Sequence, residues 1–356
     1  MRSSLQKRDK RSRRIQNKRW LRKRNSRRNA SWKRRIATWQ QDTGHRTLPC
    51  PFALNISSKN NRRYTLRFLG KFRQHVLDVR KPLTVDLTEL TYLMPGAALL
   101  LIAEFDRAKQ ILGNDFKVQL IKSKTARINA VLDQIGFSDI CDTKLGSEEL
   151  DEAPDELVRH WRFATGTRIN DQTERAFVDI QGRIAPALQE GMWVGISEAI
   201  GNSALHAYLE PRGADSGRMG AKRWWMLSQV RDGVLGVTVA DLGIGIPRSL
   251  PLKWPRSGLT KILDGIAGKG PDERSIRAAL EVGATSTGQK HRGKGLPQIW
   301  REIRSEPEAQ ISIYSNKGAL HWNGKRNSEQ SNEFQDNIFG TVISWTVPVY
   351  ENADGE

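Results

Sequence analysis

Apolar positions along this chain recur with two alternating periods. Alternation in LTVDLTEL (83–90) predicts a strand. The long apolar run GAALLLIAEFDRAKQIL that follows predicts a helix, FKVQLIK another strand, and TARINAVLDQIGF an amphipathic helix. Strand and helix in turn predict an α/β unit over residues 47–145. An acidic, Pro-containing stretch at 146–158 reads as a linker or the capped start of a helix. A second unit is predicted over 159–350. It opens with a strand in HWRFATGTRI, continues through a helix at 172–188, and reaches another helical pattern at 194–208. RWWMLSQVRDGVLGVTVADLGIGI reads as two strands joined at Arg231-Asp232-Gly233, a hairpin-type turn. QISIYS, ALHWNG and GTVISWTVPV supply three more strands at hairpin spacing, before a polar tail at 351–356. The expected class is mixed α/β, of the α+β kind, in two units.

Charge changes the picture at one end only. The net charge is +19, and 17 of the lysines and arginines fall within residues 1–36 against one acid, Asp9. The remainder is close to neutral. So dense a cationic run, interleaved with Trp20, Trp32 and Trp39, predicts a disordered or transiently helical arm over 1–46. Neutralising phosphates is the favourable thing such an arm does, and its tryptophans suit stacking on bases. RNA or DNA through residues 1–36 is therefore the expected partner, with little sequence specificity. A solubilising tail or an anionic-lipid contact stays open. No apolar run reaches the roughly 18 residues of a membrane span. The basic N-terminus has no apolar segment of the signal-peptide kind. Cys50 and Cys141 form no framework, and a reduced, cytoplasmic setting is expected.

Candidate chemistry concentrates in GISEAIGNSALHAY, Gly195 to Tyr208. A four-residue step returns to nearly the same helical face, so Glu198, Asn202 and His206 share one side. Val194, Ile196, Ala199, Ile200, Ala204 and Leu205 make the other side apolar. A carboxylate one turn from an amide suits a magnesium–phosphate site: Asn offers a neutral oxygen and Glu a base. An amphipathic helix with its polar residues in water remains open on these residues alone.

Two glycine clusters follow. In VTVADLGIGIPRSL an apolar strand runs into Asp241, Gly243, Gly245 and Ile246; in HRGKGLPQIW, Gly293, Lys294, Gly295 and Leu296 lead into a helical pattern. In this order, after the Glu/Asn helix, they resemble the nucleotide site of the GHKL superfamily. The helix is closest to its anti-sigma-factor serine kinases, which share Ser-Glu-Ala, Asn four residues after Glu, and then His. The resemblance implies a Bergerat fold binding ATP with Mg²⁺. Asn202 would coordinate the metal and Glu198 act as general base. Asp241 would accept the adenine amino group, with Gly243 and Gly245 admitting the base. Gly293 and Gly295 would face the phosphates, where a helix N-terminus favours anions. Thr341 matches a hydroxyl near adenine, though a plain β-branched strand residue is the open alternative. Lys290, Arg292 and Lys294 could neutralise phosphates or line a solvated loop. About 45 residues between the clusters, 247–292, would form the lid, with helical segments LTKILDGIAG and DERSIRAALEVGA.

The first unit resembles a STAS domain, the module of anti-sigma-factor antagonists. Met94, Pro95 and Gly96 stand where the Asp and the two serines of its phosphorylated turn would be. A degenerate module that docks a protein partner or only packs is implied. Transfer of phosphate from ATP to water or to a Ser/Thr of a partner is the expected reaction. The alternative is a nucleic-acid-associated switch with little or no turnover. The resemblance also allows a homodimer.

Overall fold

The computed structural model describes residues 21–37, 39, 46–146, 162–167, 196, 197, 199–201, 203, 207–212, 222–231, 233–253, 256–285 and 295–349. The fold is mixed α/β. A three-stranded parallel sheet is ordered β1 (Arg46–Pro49), β3 (Leu83–Asp86), β5 (Val118–Ile121), and a two-residue parallel pair joins β2 (Ala53–Leu54) to β4 (Tyr92–Leu93). Around these lie α1 (21–37), α2 (Lys59–Arg73), α3 (Pro95–Leu112), α4 (Ala126–Gln134) and α5 (Phe137–Ile140). The second sheet has seven strands, antiparallel throughout, in the order β11-β10-β9-β12-β8-β7-β6. They are β6 (Arg162–Gly166), β7 (Trp224–Arg231), β8 (Val234–Asp241), β9 (Gln310–Ser315), β10 (Gly318–Asn323), β11 (Ser328–Glu333) and β12 (Thr341–Pro348).

The expected hairpin between β7 and β8 forms, with Gly233 at φ +68°. The last strands differ from simple hairpin succession. β12 leaves its neighbours in sequence and inserts between β9 and β8. The burial pattern favours this, because Ile343, Trp345 and Val347 are buried on one side of β12 and Val342 on the other, where an edge strand would expose one side. The polar strand SEQSNE, β11, was not anticipated; it pairs only with β10, at the sheet edge, and needs little apolar character there.

α3 explains how the two sheets meet. Residues from Ala97 to Phe105 are buried on all sides of this helix, as expected of a helix with no polar face. Pro95 occupies its first turn, where the missing N–H costs nothing, and Gly96 lies against Ile56 and Val342 of β12. The turn aligned with the STAS serine site is thus packed against the second sheet. Alternation along β7 divides that sheet: Trp225 and Leu227 join the core built around α3, while Trp224 and Met226 face the opposite core. Ala240, Leu242 and Val342 also belong to the α3 core, so the predicted units share one hydrophobic interior.

The opposite face carries the helical residues Ile196, Ala199 and Ile200, with Ile276, Ile299, Trp300 and Ile303. The predicted lid is largely built structure: α6 (Ile246–Lys253), α7 (Arg256–Gly265) and α8 (Pro271–Thr285), followed after residues 286–294 by α9 (Gly295–Ser305). α8 is fixed on the sheet. Ile276 is fully buried, and Glu273, also buried, accepts from the Lys269 N–H and pairs with Arg277. Helix 172–188, the linker from 147 and the tail lie outside the described residues.

The disordered arm is corrected over its second half. Residues 21–37 are helical, and Trp32, Ile36 and Trp39 are buried in the α3 core. Three apolar side chains about one helical turn apart give α1 a packing face that offsets its charge repulsion. The Trp32 indole N–H donates to the Pro49 carbonyl at 2.8 Å, and Arg35 pairs with Asp86. Both tryptophans are therefore withdrawn from base stacking; residues 1–20 lie outside the described residues. Replacing Trp32 with Ala should cost about 3–5 kcal/mol of stability, read from denaturant unfolding. An unchanged midpoint would return α1 to the status of a free tail.

Candidate functional site

The site gathers at one end of the seven-stranded sheet. Asp241 closes β8, paired across β12 with Thr341 and across β7 with Trp224, while Thr341 also faces Ser315 at the end of β9. Four strand ends thus deliver Trp224, Asp241, Thr341 and Ser315 in one row. Above it, Ser203 is buried; its hydroxyl bonds the Ala199 carbonyl at 3.0 Å and lies 3.4 Å from Asp241 Oδ2. The Gly243 N–H donates to Asp241 Oδ1 at 2.9 Å.

Gly243 is required by proximity. A Cβ there would stand 2.0 Å from the Ala207 carbonyl oxygen, to which the Ile244 N–H donates at 2.7 Å. Gly245 is required by conformation, with φ +75°, and its open side faces the Asn316 amide, which donates to the Ile244 carbonyl at 2.8 Å. Ile246 N–H then caps onto Ser315 Oγ at 2.8 Å, and Ser315 Oγ lies 3.1 Å from Thr341 Oγ1. The loop after Asp241 is consequently fixed by close packing on Ala207 and Asn316 and by bonds from its backbone to the side chains of Asp241, Ser315 and Asn316.

Of the sequence-predicted residues, Asp241, Gly243, Gly245, Ile246 and Thr341 come together. Gly295 opens α9, and Leu296 packs against the core on that face. Glu198, Asn202, His206, Lys290, Arg292, Gly293 and Lys294 lie outside the described residues. Their neighbours are informative: Ser203 follows Asn202 directly and faces Asp241. Ser203, Ser315, Asn316 and Tyr208 were not singled out from sequence. Ser203 had a signal, as a lone hydroxyl on the apolar stripe of Ile196, Ala199 and Ile200. Among the described residues no group of three or more His, Cys, Asp or Glu could hold a metal, and no helix is long and apolar enough to cross a membrane.

Asp241 is the electrostatic centre. Burial lifts its pKa to about 6, against the lowering effect of the Gly243 and Thr341 backbone N–H groups, Ser203 and Arg212. A carboxylate accepts about four hydrogen bonds; the two backbone N–H groups and the long 3.4 Å bond from the Ser203 hydroxyl take up part of that capacity. Asp241 therefore retains acceptor capacity for an incoming N–H donor. Burial, with help from Asp241, also pushes the Tyr208 phenol up; its oxygen accepts from the Leu242 N–H at 3.3 Å.

A second charged group braces the site from behind. Glu104, buried within α3, receives Arg212 Nη1 at 3.1 Å and Nη2 at 2.7 Å, and Arg73 of α2 at 2.5 Å. The two arginines outweigh desolvation and hold the carboxyl down at about 2. Arg212 also donates to the carbonyls of Ile338 and Phe339, just ahead of Gly340-Thr341. From α2, buried Arg62 donates to the carbonyls of Ile56, Asn316 and Asp336. Arg62 and Arg212 fix the two loops that carry Asn316 and Thr341.

No protein-family model matches this chain, and no curated protein matches it in sequence.

Two outcomes follow from these charges. Glu104→Gln leaves two buried guanidinium groups short of countercharge and should cost about 3–5 kcal/mol. Because Glu104 titrates lower when folded, its contribution is full above the unfolded value near 4.5 and fades as pH falls towards 2. Urea unfolding of both proteins across pH 2–7 should show their difference shrink on acidification. Asp241 has the opposite sign. Its ionised form opposes folding above pH 6, and that penalty is relieved between about 6 and 3.8. Asp241→Asn should therefore leave stability at pH 7 equal or higher. A marked loss of stability would make Asp241 a structural acceptor instead.

Proposed function

We propose that the seven-stranded unit is a Bergerat-type ATP-binding domain of the GHKL kind, and that the unit packed on its reverse face is a degenerate STAS-like module. The observation that supports this most is the buried Asp241 carboxylate, which keeps acceptor capacity beside the donors of Gly243, Thr341 and Ser203 and next to two glycines that the geometry requires. Ser203 of the Glu/Asn helix adds a polar neighbour on one side and Thr341 on the other. A purine exocyclic amine is the ligand group that Asp241 suits, since it donates a hydrogen where the carboxylate still accepts. The carboxylate also favours adenine over guanine, whose corresponding position is an oxygen.

In this reading Asp241 and Thr341 orient the base, and the N-terminus of α9 receives phosphate. A magnesium ion carried by phosphates needs one or two protein oxygens, and Asn202 would supply one. Bound there, it would offset charge developing on the transferred phosphoryl group. Glu198 would take a proton from water or from a hydroxyl of a partner protein. The STAS-like unit, with Gly96 packed against Ile56 and Val342, acts as a scaffold for the site's loops and not as a phosphate acceptor.

Calorimetric titration with Mg-ATP should give measurable heat for the full chain. Asn202→Ala should weaken binding about tenfold or more, a difference of about 1.4 kcal/mol. Asp241→Asn should weaken ATP more than it weakens GTP, and ATP affinity should fall as pH drops below 6. With γ-labelled ATP, label retained on a partner protein indicates a kinase and free phosphate an ATPase. Glu198→Ala should abolish either while keeping binding. Absence of heat with the unaltered protein rejects the proposal.

A further inference from the structure

The two helices on the outer side of the first unit carry an unusual charge distribution. α1 has eight Lys/Arg residues and α2 has six, and neither contains an acid. Some turn inward for structural work: Arg62 and Arg73 to the groups described above, Arg35 to Asp86, and Arg28 to Thr91 at 3.1 Å. The rest are on the outside. Lys23 and Arg27 lie opposite the buried Trp32/Ile36 side of α1, with small residues Ser26 and Ala30 beside them.

α1 and α2 run side by side in step. Trp32 meets Tyr64 at 5.3 Å between ring centres, and seven residues further along each segment Lys71 lies 5.6 Å from the ring of Trp39, just beyond α1. Lys33 reaches over Tyr64 at 5.7 Å, and Arg46 joins Lys71 over Trp39 at 5.2 Å. Cations therefore line the outer side of the pair beside these rings. They crowd one another: Lys71 is held below the ordinary lysine pKa, first by burial and then by Arg67 and Arg46.

We propose that this paired-helix face binds the phosphate backbone of a nucleic-acid duplex. Seventeen residues of α1 span about 25 Å, roughly seven base-pair steps at 3.4 Å per phosphate along a strand. The aromatic rings of the pair are turned inward: Trp32, Trp39, Phe68 and Phe72 are buried and Tyr64 is half-buried. Among the described residues, stacking platforms for unpaired bases are thus missing from the face, and charge is what it offers. An anionic membrane fits less well, because surface helices insert an apolar side and here that side is already packed into the core. Recognition through phosphates fixes position without reading sequence. In place of the flexible, base-stacking arm that composition suggests, α1 and α2 form a preformed cationic ridge.

The test uses the full chain without nucleotide, so that it is independent of the ATP site. Fluorescence anisotropy with labelled 20-base-pair DNA and RNA duplexes, the matching single strands, and a titration of vesicles containing phosphatidylserine are compared. Duplex binding should exceed single-strand binding and fall steeply with salt. The triple variant Arg27→Glu, Lys33→Glu, Arg67→Glu should bind duplex about tenfold or more weakly, with the salt slope reduced by about 0.9 for each phosphate no longer neutralised. Its thermal transition should match that of the unaltered chain. Independently of any variant, a flat salt dependence of the unaltered chain overturns the proposal. So does tighter binding to single strands, binding to vesicles but not duplex, or full duplex affinity in the triple variant.

Discussion

The buried carboxylate of Glu104 is the constraint on which the arrangement depends. It sits in the most apolar of the described helices, where an ionised group is tolerated only with compensating charge. That compensation comes from Arg73 in the same half of the chain and Arg212 in the other. Arg212 cannot reach Glu104 unless the reverse face of the seven-stranded sheet lies on α3. Once there, its remaining N–H groups are spent on the loop preceding Thr341. A single ion cluster therefore sets the docking of two sheets and the position of one wall of the candidate site.

Most elements were legible because their signals are local. The alternation of VTVAD, the turn at Gly233 and the wholly apolar stretch after Pro95 each specify an element without help from elsewhere. The same holds for the glycines after Asp241, whose spacing announces a close backbone approach. What was not legible depends on partners far along the chain. Glu104 is conspicuous as a lone charge in an apolar run, yet nothing in the sequence names Arg212 as its counterpart. Asn316 reads as an ordinary turn residue until Gly245 is brought against it. β11 has no apolar pattern at all, since an edge strand between solvent and one neighbour needs none.

The N-terminal stretch shows how composition can mislead. Charge density argued for a disordered or transiently helical arm, and over residues 21–39 the described part is instead packed through three residues, Trp32, Ile36 and Trp39. Their spacing marks one side of a helix, and burying that side outweighs repulsion between side chains that can spread into water. Trp32 and Trp39, read as base-stacking groups, are packing groups. The charges were left outside, in a fixed geometry.

The place of β12 has a consequence for how this chain acquires its structure. The strand farthest along the sequence occupies the middle of the sheet, with Val342 in one core and Ile343, Trp345 and Val347 in the other. During synthesis β8 and β9 must wait, each with an unpaired edge, until this segment emerges. Assembly is therefore dominated by late, non-local pairing, a topology that folds slowly and leaves exposed edges open to aggregation in the interval.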